Sequence, residues 1–242
     1  MAGTFLSAAW RYLVMANYAV DPFILRPHVP FGTELDEFKG TCYVSLVGFL
    51  FKDTKLLGLS VPFHRTFEEV NLRFYVRYKE NGIWKRGVVF LKEIVPKRMI
   101  SLVANAVYGE QYVTSPMKHV WKNTGKDLLV EYYWKSGGKW NHLKALADPN
   151  PCPIEPGSEE EFITEHYWGY TFVDETSSGA YEVRHPKWRV HPVHSYDIRC
   201  SVAALYGEAF VAPLNEAPRS VFLAEGSAIE VRKKTKIRVG RP

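Results

Sequence analysis

The stretch "FEEVNLRFYVRY", residues Phe67–Tyr78, decides how the chain is read. In an extended chain successive side chains point to opposite faces. Val70, Leu72, Phe74 and Val76 then share one face, while Glu69, Asn71, Arg73, Tyr75 and Arg77 share the other. The apolar row seeks a core. The polar row has two readings: the solvated face of an antiparallel sheet with Glu69 and Arg73 as neighbours, or the lining of a rolled sheet. A line of carboxylate, amide, guanidinium and phenol is chemically richer than an outer face needs. Arg73 could hold a carboxylate in bidentate fashion, with Glu69 positioning it or acting as a base.

Working outward, strands dominate. "TCYVSLVGFLF" (41–51) is almost wholly apolar and rich in β-branched and aromatic residues, so both of its faces are expected to be buried. Hairpins are expected around Asn81-Gly82, around Ser136-Gly137-Gly138 and around Glu225-Gly226. Three hairpins with long aromatic strands predict a large antiparallel sheet, rolled so that its edges are short. Helices are expected at "SAAWRYLVMAN" with Ser7 as N-cap, and at "PKRMISLVANAVYG" with Met99, Leu102, Val103, Ala106 and Val107 on one face. A short third helix is expected at "SEEEF", with Ser158 and Glu161 as a capping box. No repeat and no boundary divides residues 1–242, which read as one α+β domain, mainly β, with a few peripheral helices.

The chain of 242 residues carries a formal charge of +5, but the excess is local. The last twelve residues, "VRKKTKIRVGRP", hold six basic side chains and no acid, and without them 25 basic residues face 26 acidic ones. The tail alternates, with Val231, Thr235, Ile237 and Val239 on one face and Arg232, Lys234, Lys236 and Arg238 on the other, as suits an edge strand protected by charge. Nucleic-acid binding is therefore not expected. Three cysteines without a CxxC pair, no basic lead before an apolar run and no apolar run near 20 residues predict a soluble cytoplasmic protein with reduced thiols and no membrane span.

Familiar catalytic signatures are missing. There is no G-x-S-x-G elbow, no phosphate loop and no dinucleotide fingerprint. "RHPKWRVHPVHSYDIRC" gathers His185, His191, His194 and Cys200, with His166 upstream. Two of these histidines precede proline and no pair has helical spacing, so packing and hydrogen bonding are expected of them rather than metal ligation. Neither a metal nor a cofactor is expected. Cys42, in the most apolar strand, reads as a small inert hydrophobe.

Four strings carry a resemblance: "NYAVDPFILRPHVPFGTELDEFKGTCYVSLVGFLF", "FEEVNLRFYV", "EHYWGYTF" and "HPKW". Together with the P-x-G-x-x-L-D string of Pro30, Gly32, Leu35 and Asp36, they resemble the YqjF-like uncharacterised proteins over nearly the whole chain. That family is similar in turn to the acetoacetate decarboxylase superfamily. The resemblance implies a curved, partly closed barrel with helices outside and a pocket within. Those decarboxylases use a pocket lysine, its pKa lowered by a second lysine, to form a Schiff base. At the matching stretch here, "VYGEQYVTSP", Tyr108 and Gly109 fit, but Tyr112 and Val113 stand where the lysines would be. Decarboxylation by that route is not expected. Phe67-Glu68-Glu69 matches the decarboxylases' Y-x-E stretch, with Glu69 as the pocket glutamate. By resemblance, Glu69, Asn71, Arg73 and Tyr112 face a pocket that takes a small organic acid, and Glu69 is the candidate base. The surplus of Arg73 and Arg77 over Glu69 leans towards an anionic ligand. The competing expectation is a non-catalytic structural or homo-oligomeric module in which the row is a closed network.

Overall fold

The computed structural model describes residues 3–60 and 62–238; Val239 and Arg241 of the basic tail lie outside them. Where a helix is expected at Ser7–Asn17, the chain forms β1 (Thr4–Val20), a strand of 17 residues. Leu13, Val14, Met15, Ala16, Asn17 and Tyr18 are buried in unbroken succession, a pattern with both sides covered that no helical stripe gives. The apparent 3.6-residue period was accidental. At Arg11–Val14 the register against its neighbour shifts, and Tyr12 adopts a left-handed φ of 50° within this β-bulge.

Asp21 accepts from the Phe23 amide and caps the short α1 (Pro22–Leu25). There follow β2 (Thr33–Leu35) and β3 (Cys42–Leu56), in which residues 42–51 are buried on both faces, as their composition predicts. Then come β4 (Leu59–Ser60), β5 (Phe67–Glu80) and β6 (Ile83–Val95), the last two forming the hairpin expected at Asn81-Gly82. The expected helix is α2 (Arg98–Tyr108), stopped by Gly109 in the left-handed region. Its apolar stripe is not a core face, however, for Met99, Leu102 and Val107 are exposed.

The chain continues through β7 (Tyr112–Thr114), β8 (Met117–Asn123), β9 (Leu128–Ser136) and β10 (Lys139–Ala147), with the second expected hairpin between β9 and β10. After β11 (Cys152–Pro153), Ser158 accepts from the Glu161 amide at the head of α3 (Glu159–Thr164), while the Glu161 carboxylate reaches back to the Gly157 amide. The remaining elements are β12 (Trp168–Asp174), β13 (Ser177–Arg184), β14 (Arg189–His191), β15 (Val193–Arg199), α4 (Val202–Tyr206), α5 (Val211–Asn215), β16 (Ser220–Ala224), β17 (Ala228–Arg232) and β18 (Thr235–Arg238).

β16 and β17 do not form the hairpin expected at Glu225-Gly226. Both run antiparallel to β1 along one edge, β16 against residues 13–17 and β17 against residues 4–9. Glu225-Gly226-Ser227 is the kink that carries the chain past the β1 bulge. The Trp10 and Tyr12 amides donate to the Ser227 and Glu225 carbonyls there. Gly226, at φ 75°, lies so close to β1 that a Cβ would stand 2.2 Å from the Trp10 carbonyl oxygen. The turn signal in the sequence is real, but it marks a kink.

The pairings close a ring: β1–β17–β13–β12–β6–β5–β3 and back to β1. The sheet is mixed, since β6 pairs in parallel with β12 and with β7. Phe49, Phe51, Phe67, Tyr75, Phe162 and Trp188 belong to the apolar cluster inside the ring. A second sheet, β15-β10-β9-β8, whose central strand β9 alternates buried and half-buried side chains, packs Val130, Tyr132, Trp134 and Leu143 against Val70, Leu72 and Phe74 on the ring's outside. The two rows of β5 are thus both covered. The apolar row meets the second sheet, and Glu69, Asn71 and Arg73 meet the interior.

Candidate functional site

The ring interior holds a cavity of about 360 Å³, and Glu69, Asn71, Arg73 and Tyr112 all line it. Arg77, in the same row, does not. It lies at the far end of the strand, where it pairs with Glu34 at 2.6 Å in partly exposed surroundings.

Two acids that pattern-reading did not single out join them. β6 bulges opposite Leu72–Arg73, pairing Arg73 with Phe90 but Leu72 with Lys92. Strict alternation from Val88 and Phe90 would turn Lys92 inward. The bulge turns Glu93 inward instead, opposite Asn71 and beside Tyr112. Glu110 follows the left-handed Gly109 at the end of α2 and is also buried. The expected positive surplus is therefore reversed, with three buried carboxyls and one guanidinium lining the cavity.

The carboxyls differ in their partners. Glu69 accepts from Asn71 at 2.9 Å and from the Tyr112 hydroxyl at 3.0 Å. Burial pushes it up to about 7, against the pull of those two bonds and of the Arg73 charge. Burial pushes Glu110 up to about 8, although Tyr181 donates to it at 2.6 Å and Lys234 lies near. Burial, with the Glu110 and Glu69 charges, pushes Glu93 well above the carboxylate range, and one of its oxygens has no partner. Tyr181 reaches Glu110 because residue 169 is glycine; a Cβ there would lie 2.1 Å from the Tyr181 ring.

Arg73 is buried yet nearly unpaired. One terminal nitrogen makes a long 3.4 Å contact with the Ile163 carbonyl, and its Nε has no acceptor. Two cavity-lining histidines feel its charge. His166 contacts Asp36 at 3.1 Å through Nε2, and Arg86 donates to the same Asp36 oxygen at 2.6 Å. Burial raises the Asp36 carboxyl, but these two bonds outweigh it and hold the group below its usual range, so it is ionised and can only accept. Nε2 therefore carries the proton. Burial lowers His166 to about 4 even beside Asp36, leaving a neutral ring whose Nδ1 lone pair has no partner among the described residues. His185 stacks on Trp188 at 4.2 Å, and burial lowers its pKa as well. His191 bonds the Asp148 carbonyl instead, and among the described residues no group of three or more His, Cys, Asp or Glu is poised to hold a metal.

No lysine lines the cavity among the described residues. Val113 is exposed, and Lys118 lies over the Tyr133 and Trp140 rings of the second sheet. Lys234 comes nearest; it donates to the Tyr108 carbonyl across Gly179. Among the described residues no helix is long and apolar enough to cross a membrane.

A model of the DUF2071 family, described as an uncharacterized conserved protein, matches residues 7–228. Among individual proteins, the chain is 30% identical over 165 residues to the uncharacterized protein YqjF of Bacillus subtilis (strain 168), a match covering 67% of this chain and 65%, under two thirds, of that protein. In fold it is similar to acetoacetate decarboxylase from Legionella pneumophila, with a TM-score of 0.64 at 13% identity over 98% of this chain and 88% of that one. It is likewise similar to the enduracididine biosynthesis enzyme MppR complexed with pyruvate, with a TM-score of 0.66 at 12% identity over 98% of this chain and 91% of that one.

Proposed function

The chain belongs to the DUF2071 family of uncharacterized conserved proteins, and on that footing we propose that it binds a small organic acid, an oxo-acid or a related metabolite, inside the seven-stranded ring. The observation that carries this reading is the Arg73 guanidinium, buried beside a cavity with an unsatisfied Nε and, among the described residues, no carboxylate in ion-pair contact. A buried cation without a counterion is costly, and a bound carboxylate offsets that cost. The raised carboxyls fit the same picture. Burial pushes Glu110 up to about 8, so that it holds a proton near neutral pH and can donate to a ligand oxygen rather than repel an anion, and burial pushes Glu93 in the same direction. A fold neighbour complexed with pyruvate lends the reading support at the level of architecture alone.

Thermal shift and calorimetry with oxo-acids, hydroxy-acids and their neutral analogues test it. A ligand at a hundred times its dissociation constant stabilises by about 2.7 kcal/mol. An acid should raise the melting temperature of the wild type and not of Arg73→Met. If no acid binds and Arg73→Met melts early, Arg73 belongs to a structural network and the reading is wrong.

A second reading is favoured by Glu69, whose pKa near 7 and hydrogen bond from Tyr112 suit a general base in a lyase or isomerase. Such a base would exchange the protons beside the carbonyl of a bound oxo-acid with deuterium from heavy water, and Glu69→Gln would stop it. Absence of wild-type exchange above the buffer rate leaves binding without proton transfer. Schiff-base decarboxylation is not proposed, for want of a lysine at the cavity.

A further inference from the structure

We infer that the ligand is amphipathic: a carboxylic acid with a second oxygen function and an apolar tail longer than four carbons, its head at Arg73 and its tail towards Phe51 and Leu56. The inference rests on the acid-binding reading and specifies its substrate class.

Polarity is graded along the ring. From Arg73 the inward residues of β5 run Asn71, Glu69 and Phe67, a span of about 20 Å from first to last at the rise of a strand. Next to Glu69 and Phe67 across the sheet stand Phe49 and Phe51, and the Phe51 and Phe67 rings stack at 4.6 Å. Beyond them Leu56 pairs with Leu6, and both line the cavity. At that end Met99, itself 57% exposed, also lines it, so the apolar end reaches the surface. Arg73, Asn71 and the carboxyls lie deep; the way out is mainly hydrocarbon, with Thr54 and His64 the polar side chains beside it.

Volume points the same way. At about 360 Å³ the cavity lies within the roughly 300–1,000 Å³ range of sites that take drug-sized ligands, more than the seven non-hydrogen atoms of a four-carbon oxo-acid fill. The space left over is walled by aromatic and aliphatic side chains, which gain nothing from water and bind hydrocarbon. Between head and tail, Tyr112, Glu69 and Glu93 face the middle of the ligand, where the second oxygen belongs.

Calorimetry at pH 7 with 2-oxobutanoate, 2-oxohexanoate, 2-oxooctanoate and 4-phenyl-2-oxobutanoate, beside 1-octanol as a headless control, tests the inference. Each buried methylene strengthens binding by up to about fourfold. The eight-carbon acid should bind at least about tenfold tighter than the four-carbon acid, and octanol at least about tenfold more weakly than the eight-carbon acid. Leu56→Glu, a change at a half-buried position, should remove most of the chain-length gain, and Met99→Glu at the exposed rim serves as a second variant. Equal affinity across the series overturns the amphipathic ligand while the acid site stands. Binding by none of the acids removes both.

Discussion

Arg73 and the carboxyls around it make the residue scale testable without any ligand. Replacing a buried, unpaired guanidinium by an apolar side chain of similar length should not destabilise the fold. Arg73→Met is expected to melt within about 1 kcal/mol of the wild type, or above it, while losing acid binding. The carboxyls give a pH signature. Glu69 and Glu110 have folded pKa values near 7 and 8, above their unfolded value, so the folded state holds their protons longer. Their contribution is fully present below the unfolded pKa and is lost as pH rises towards 8. His166 works oppositely: its lowered pKa makes stability rise with pH from about 4 until the unfolded imidazole has lost its proton near 6.5. The glutamates therefore dominate between about pH 6.5 and 8. Melting temperature should fall across that window, by the equivalent of about 1–2 kcal/mol, and Glu110→Gln should flatten the fall. A wild-type curve that is flat from pH 6.5 to 8 would show that Glu110 ionises normally. That Glu69, Asn71 and Arg73 share one face was legible in the sequence because β5 keeps strict alternation, whereas only the resemblance pointed that face inward. Glu93 was not, because one extra residue in β6 reverses the alternation without leaving a compositional mark.

At the scale of elements, the same contrast separates the strands that read correctly from the one that did not. β3 and β5 follow period two or are uniformly apolar, so local pattern and tertiary position agree. β1 was misread because its polar and small residues fell by chance on a helical spacing. What makes it a strand is pairing with β3, β16 and β17, three partners distant in sequence that no local window contains. Gly226 was seen as a turn residue, yet its role depends on the bulge it crosses. Gly226→Ala should cost about 2 kcal/mol or more, since it combines a left-handed backbone with a clash against the Trp10 carbonyl. Chemical denaturation measures it, with Gly40→Ala as a control that has a matching positive φ of 78° but open space. Equal losses in the two variants would mean that the backbone angle alone matters. Gly169→Ala should instead displace the Tyr181 phenol from Glu110, and a rise in the frequency of the protonated Glu110 carboxyl band in infrared difference spectra against Glu110→Gln would register it.

For the molecule as a whole, the resemblance predicted a curved, partly closed sheet, and the pairings close a seven-strand ring with a second sheet on its outer side. The second sheet explains why β5 is buried on both faces, which the strand's own sequence left open between water and cavity. Closure of the ring depends on its first strand. Leu6 pairs with Val231 on one side and Leu56 on the other. Deleting residues 1–9 should unfold the ring as a unit rather than fray one edge, read as loss of a single cooperative melting transition; a truncated protein that still melts cooperatively within a few degrees of the full chain would contradict this. That closure also orders events in time. During synthesis the first strand leaves the ribosome more than two hundred residues before its partner in β17. Until β16 and β17 follow, β1 has β3 on one edge and nothing on the other, a long apolar edge open to other chains. With so much pairing between distant segments, folding should be slow for the chain's size, and the last step should be the one that creates the cavity. The interior is thus a late product, absent from every nascent chain and exposed to aggregation until the C-terminal strands arrive.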